Sequence, residues 1–186
     1  IQALTKYQSG GSDVMMGSIV TRDQQLNDKL LDVHVRLGMG VSPEDCNIVL
    51  RSLPHYKLRY QAQDVVGRQV AQWLSQQPAI AQVLHPALPS APGHDIWRRD
   101  FTGAASLFSV VFKAEVSQPQ VDAFVESLQL FHIGYSWGGS VSLVVPYALN
   151  QMRAGYSYKG SLVRFYIGME EQQDLIADLQ QALSTL

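Results

Sequence analysis

Residues 58–84 read LRYQAQDVVGRQVAQWLSQQPAIAQVL, and two periodicities meet inside that stretch. Leu58, Ala62, Val65, Val66, Gln69, Val70 and Trp73 draw a helical stripe that stops before Gln77-Pro78. Ile80 to Leu84 follows at once as a short strand. Downstream the alternation continues. Ser106 to Ala114 reads as a strong strand, and Ser117 with Pro119 opens a helix over Val121 to Leu128. Leu130 to Gly134 is a short strand, Ser161 to Ile167 a strand of alternating large residues, and Glu170 to Leu183 a closing amphipathic helix. The proline-rich stretch from His85 to Pro92 reads as loop. From Leu53 onward the order is helix, strand, strand, helix, strand, strand, helix, which predicts an α/β fold with a sheet covered by helices on one face.

Upstream the plan is different. Tyr7 to Asp13 is turn chemistry, and Val14 to Val20 is an apolar segment of strand length interrupted by glycine. From Asp23 on, Leu26, Leu30, Val33 and Leu37 recur at helical spacing until Gly38 and Gly40 end the run. Ser42-Pro43-Glu44-Asp45 opens a second helix toward Leu53: serine caps, proline suits the first turn, and the acids face the positive end of the helix dipole. Residues 1–52 therefore read as the tail of another domain, with a boundary near Leu53 and a second unit over 53–186.

The 186 residues are 46% hydrophobic, enough to build a core without a disulfide or metal staple, and the single Cys46 has no partner within the chain. With 14 basic and 16 acidic side chains, the net charge of −2 supplies no basic field for a phosphate backbone or an anionic lipid surface. Nucleic acid and membrane are thus excluded as first expectations. The longest apolar stretches, around Ser106 to Ala114 and Val141 to Leu149, fall well short of the roughly 18 residues of a membrane-spanning helix. Ile1-Gln2-Ala3-Leu4 lacks an initiator Met and the order of a signal peptide. A lone thiol without an export signal predicts a cytoplasmic protein, and the missing Met predicts a piece of something longer.

Gly134-Tyr135-Ser136-Trp137-Gly138 matches the G-x-S-x-G nucleophile elbow and follows an apolar strand. That arrangement needs a histidine after the serine, yet the five histidines stand at 34, 55, 85, 94 and 132, so the motif reads as a glycine-flanked turn. No histidine pair has the i, i+4 spacing of a helical metal site, and no metal is assigned. Cys46, in a helical stretch without a local His or CxxC partner, predicts a buried structural thiol. Ser9-Gly10-Gly11-Ser12 matches no phosphate-cradling motif, and Arg98 and Arg99 beside Trp97 read as solvated charge. Two residues stand out by position. Lys6 lies between Thr5 and Tyr7 ahead of a Gly/Ser turn, a setting for an amine that condenses with a carbonyl. Arg164 lies mid-strand, where a charge either finds a partner such as a carboxylate or faces outward by strand alternation.

Taken together, these pieces resemble the Cys/Met-metabolism family of pyridoxal-phosphate-dependent enzymes, and within it the bacterial cystathionine beta-lyase branch. Thr5-Lys6-Tyr7 with Gly10, Ser12 and Asp13 is similar to the family's cofactor-lysine signature T-K-Y-x-x-G-H-S-D. Ser42-Pro43-Glu44-Asp45 and Leu50-Arg51-Ser52-Leu53 resemble its S-P-x-D and L-R-G-L stretches. His85-Pro86-Ala87-Leu88-Pro89, Gly93-His94, Trp97, Arg99-Asp100-Phe101-Thr102-Gly103 and Leu107-Phe108-Ser109 resemble the beta-lyase version of the small domain. So do Tyr135-Ser136-Trp137-Gly138-Gly139, Leu162-Val163-Arg164 and Ile167-Gly168-Met169-Glu170. Four positions depart from the pattern: Gly11 stands where the family has His, Gln8 where it has an aliphatic residue, Leu4 where it has a small one and Val141 where it has an acid.

The resemblance implies the C-terminal part of a fold-type I pyridoxal-phosphate enzyme. Residues 1–52 would be the tail of the large cofactor-binding domain, and 53–186 a small domain whose mainly antiparallel sheet carries helices on one face. In the family the lysine lies near the middle of the subunit, so the resemblance also implies an N-terminal half as partner and a homo-oligomer, a tetramer by family habit. Lys6 would carry the cofactor and act as the base toward the substrate's alpha proton, and Thr5 would hold the phosphate. Arg164 would bind the substrate carboxylate, with Ser136 and Trp137 orienting it and walling the pocket. The implied reaction is beta-elimination on the amino-acid thioether cystathionine, giving homocysteine, pyruvate and ammonia, with these residues alone expected to be inactive. Trp137 favours the beta-lyase branch, since the gamma branches more often carry a smaller residue there. The alternative is a non-catalytic α/β binding or interaction module that inherited the small domain.

Overall fold

A computed structural model describes residues 1–148, 155 and 158–186. Asp23 caps α1 (Gln24–Leu37) by accepting the Leu26 N–H at 3.0 Å, and Gly38 ends it in the left-handed conformation. Ser42 caps α2 (Pro43–Ser52) in the same way through the Asp45 N–H, with Pro43 in the first turn. A 3-10 turn, Leu53–His55, leads from α2 into α3 (Tyr56–Leu74). The strand expected over Val14 to Val20 shrinks to β2 (Gly17–Ser18), paired antiparallel with β1 (Gln2–Ala3). Next to that ladder the Thr5 hydroxyl, not its main chain, accepts the Met16 N–H at 3.1 Å, which ends regular pairing.

The remaining strands form one five-stranded sheet. β3 (Ile80–Leu84), β4 (Leu107–Phe112), β5 (His132–Ile133), β6 (Leu143–Tyr147) and β7 (Leu162–Tyr166) lie in the order β3-β4-β7-β6-β5. Every pair is antiparallel except β5 with β6. Among strands and α-helices, three elements go beyond the sequence reading: β1, α4 (His94–Asp100) and β6. Pro146 argues against a strand because proline donates nothing to a ladder. It is tolerated because β5 ends alongside Val144, leaving Pro146 paired only with Val163 of β7. Leu149, at the end of that apolar stretch, lies outside the described residues.

Strand alternation sorts the sheet into two faces. Val163, Phe165 and Ile167, with Phe108, Val110, Phe112 and Val144, pack against Val70 and Leu74 of α3. The same core takes in Val121 and Phe124 of α5 (Gln118–Ser127) and Leu175 and Leu179 of α6 (Gln172–Leu183). This is the expected helix-covered face. Gly67 allows α3 to approach closely, since a Cβ there would lie 3.1 Å from Ser106 Cα. The opposite face carries Leu162, Arg164 and Tyr166, with Ser109 and Val145 directly beside Arg164 on the flanking strands. Before α3 the burial changes character. No residue of α1 is buried, and Leu31, Val35 and Leu37 stay exposed along with Met15, Val20 and Met39. Cys46 is exposed, not buried as expected, because α2 covers only its Val49 position.

His85 is fully buried beside Phe108, its Nδ1 accepting the Ala87 N–H at 3.2 Å and its Nε2 left without a partner. Burial, then the Arg68 charge, pull its pKa from 6.5 down to about 4. Between those values the unfolded chain binds a proton that the folded chain refuses. Stability in urea titrations is therefore expected to be full above pH 6.5 and to decline as pH falls through 6.5 toward 4. His85→Asn should flatten that decline, and an unchanged slope in the variant would remove His85 as its cause.

Candidate active site

Lys6 lies in the loop between β1 and β2, and four neighbours hold that loop through Tyr7. Ser106 N–H donates to the Tyr7 hydroxyl at 3.4 Å, and the ring of Tyr7 packs edge-on against Tyr60 and Tyr166. The Tyr7 carbonyl accepts from Arg59 Nη2 at 2.8 Å, and Arg59 Nη2 is itself tied to the Ser52 hydroxyl at 2.7 Å. Burial pushes the phenols of Tyr7 and Tyr166 above their ordinary range, so both stay neutral. Tyr166 can therefore donate to the Gly139 carbonyl at 2.6 Å, and Gln63 Nε2 reaches the same carbonyl at 2.8 Å.

The 135–139 turn is thereby pulled onto the Lys6 loop, and Gly138 makes the contact possible. It sits at φ +92°, and a Cβ on it would lie 2.5 Å from Tyr7 N and 2.6 Å from Lys6 C. The elbow-like motif is thus a glycine turn, and its serine serves the lysine. Lys6 Nζ donates to Ser136 Oγ at 2.9 Å and lies 4.2 Å from the centre of the Trp137 ring. No carboxylate forms an ion pair with Lys6 among the described residues.

Arg164 reaches the same ring system. Its guanidinium carbon is 5.7 Å from the Trp137 ring centre and 5.6 Å from that of Tyr147. Nη2 donates to the Tyr135 carbonyl at 2.7 Å, and Nε is buried without a partner. The residue faces neither the helices nor a carboxylate among the described residues; it turns toward Trp137. Lys6, Ser136, Trp137 and Arg164 are thus gathered at one place. Thr5 adjoins them, with its hydroxyl donating to the Met16 carbonyl at 3.3 Å. Two contributors were not assigned from the sequence, Gly138 as the contact point and Ser12, whose hydroxyl lies 2.9 Å from that of Ser136. Both stand inside stretches that resemble the family, but their local sequence gives neither a role.

An amine without an acid partner among the described residues, a guanidinium with a buried unpartnered Nε and an aromatic ring within reach of both make a donor set for a carbonyl compound and a carboxylate. Those residues fit pyridoxal phosphate at Lys6 and an amino acid's carboxylate at Arg164.

The model of the Cys/Met-metabolism PLP-dependent enzymes matches residues 1–184. A putative cystathionine beta-lyase of Rhizobium johnstonii is 37% identical over 99% of this chain and 47% of its own length. An L-alanine/L-glutamate racemase of Wolbachia pipientis is 34% identical over 100% of this chain and 47% of its own. The crystal structure of cystathionine gamma synthase from Xanthomonas oryzae pv. oryzae, in complex with aminoacrylate and cysteine, superposes with a TM-score of 0.87 at 32% identity, covering 98% of this chain and 49% of that one. The chain spans about half the length of these relatives.

Gly138→Ala is expected to separate the turn from the Lys6 loop and to lower stability by about 1–3 kcal/mol, the usual cost of forcing atoms into a packed contact. Chemical denaturation measures the loss, and a stability within about 0.5 kcal/mol of the parent, the range of neutral surface changes, would show that the contact relaxes freely.

Proposed function

The chain belongs to the Cys/Met-metabolism family of pyridoxal-phosphate-dependent enzymes, and on that premise we propose that it is the C-terminal half of a carbon–sulfur lyase performing beta-elimination on cystathionine. The convergence of Lys6 and Arg164 on the ring of Trp137 is the observation that carries this reading. A base and a carboxylate anchor placed on one aromatic wall suit an amino acid whose alpha proton must be removed.

Pyridoxal phosphate, when bound, supplies an electron sink for charge developing at the substrate's alpha carbon. Lys6 would hold it, with Thr5 directed to its phosphate. Arg164 binds the substrate carboxylate through its free Nε and a neighbouring N–H, which fixes the alpha carbon relative to Lys6. Lys6 Nζ takes the alpha proton as general base. Ser136 keeps one N–H of that amine engaged, and Trp137 closes the pocket wall against water. The electrons of the carbon–sulfur bond leave with sulfur, the thiol product is homocysteine, and addition of one water accounts for pyruvate and ammonia.

Residues 1–52 would complete a large cofactor-binding domain and 53–186 would be the small domain. The uncovered apolar side chains around α1 support this division, because they call for further chain on that side. The complete protein would be a cytoplasmic homo-oligomer, a tetramer by resemblance. The 186 residues alone would be inactive, since Lys6 would lack the preorganised cofactor pocket that the N-terminal half would complete.

The test is product analysis of the complete protein with cystathionine. Homocysteine and pyruvate are expected; cysteine with a four-carbon oxo acid would mean cleavage on the other side of sulfur and would overturn the beta-lyase assignment. Lys6→Ala is expected to lower kcat by about 10²–10⁴-fold, the contribution of a positioned general base. Arg164→Ala is expected to raise KM by about ten- to a hundredfold, as for loss of a charged hydrogen bond. An unchanged KM in steady-state kinetics would remove Arg164 from the carboxylate site.

A further inference from the structure

We propose that Ser12 is a positioning residue for Lys6, acting through Ser136; the proposal rests on the assignment of Lys6 as the base. Ser12 Oγ lies 2.8 Å from the Trp137 carbonyl oxygen, which can only accept, so the single Ser12 hydroxyl proton is committed there. Ser12 Oγ is also 2.9 Å from Ser136 Oγ. With its proton spent, Ser12 can only accept in that pair, and Ser136 must donate. Ser136 therefore turns lone pairs, not its proton, toward Lys6, whose Nζ donates to it at 2.9 Å. The hydrogen bonds run one way, from Lys6 to Ser136 to Ser12 to the Trp137 carbonyl.

The direction has a chemical consequence. A Ser136 side chain without Ser12 as acceptor is free to turn about its Cα–Cβ bond toward another one, which carries Oγ off Lys6 and releases the amine whose lone pair takes the alpha proton. Ser12 removes that option by claiming the Ser136 proton. The amine keeps one N–H engaged while its lone pair stays open.

The backbone of Ser12 is held in place for this task. Ser12 sits at φ +59°, a left-handed conformation that a residue with a Cβ adopts only at a cost. Its N–H donates to Ser9 Oγ at 3.0 Å, and Ser9 Oγ in turn contacts the Thr5 and Lys6 carbonyls at 2.9 and 3.0 Å. The strained turn is thus tied to the main chain of the residue whose side chain it serves. Strain kept up by several surrounding bonds beside a reactive group is a recognised mark of function.

Two variants of the complete protein separate the hydroxyl from the strain. Ser12→Gly accepts φ +59° freely and Ser12→Ala does not, while both remove the acceptor of the Ser136 proton. Both are expected to lose about tenfold in kcat with KM within about twofold of the parent, because the Arg164 contact is untouched. Ser12→Gly should melt no lower than Ser12→Ala. Crystal structures of both are expected to show Ser136 Oγ or Lys6 Nζ displaced from the 2.9 Å contact. Recovery of full kcat in Ser12→Gly would assign the effect to backbone strain and overturn the proposal, as would an undisturbed Lys6 and Ser136 in both structures. If the parent shows no lyase turnover, the functional reading falls by itself, and the crystallographic comparison alone decides the role of Ser12.

Discussion

The Lys6–Tyr7 peptide lies directly against the backbone of Gly138, and this meeting of two main chains is the constraint on which the rest of the site depends. Side-chain contacts can shift by rotating a bond, but two backbones this close can only keep their distance if no Cβ stands between them. Everything around the contact serves to hold it closed. Tyr166 and Gln63 draw the turn down through the Gly139 carbonyl, and Arg59 draws the loop down through the Tyr7 carbonyl. Both anchors stand on elements of the sheet-and-helix layer, so the packing of α3 against β4 and β7 is felt at Lys6. The position of one amine is thus set by the core of the domain as well as by its own loop.

What could be read in the sequence follows from this division of labour. Local chemistry was legible: Asp23, Gly38, Ser42 and Pro43 mark helix ends by bonds made within three or four residues, and they fall where expected. The alternation in 162–167 likewise separates core side chains from Arg164 and Tyr166. β6 was not legible, because the meaning of Pro146 depends on how far a strand from elsewhere in the chain extends beside it. α4 is only seven residues long and buries none of them, so it leaves no apolar period to read. In the site, Lys6 and Arg164 could be singled out by their surroundings in sequence. Ser12 could not, since its role rests on a partner 124 positions away and on a backbone angle.

The electrostatics of the site give a further reason why its two cations remain available. An exposed Arg or Lys costs little, and a buried one is normally held by a carboxylate. Lys6 and Arg164 are half-buried, yet their neighbours are a hydroxyl, a carbonyl and the face of Trp137. Each such contact is worth about 0.5–2 kcal/mol, enough to orient a cation but well short of a desolvated ion pair. A carboxylate partner supplied by the protein would have stabilised each charge more, and it would also have occupied the position that a ligand's anionic or carbonyl group must take. The Trp137 ring lies within reach of both cations without neutralising either. Substituting an aliphatic side chain at Trp137 would keep the wall and lose this property, since only a π face attracts both charges at once. The arrangement leaves part of the electrostatic stabilisation of both cations unmade, and under the proposed function that difference would be available to bind an amino acid.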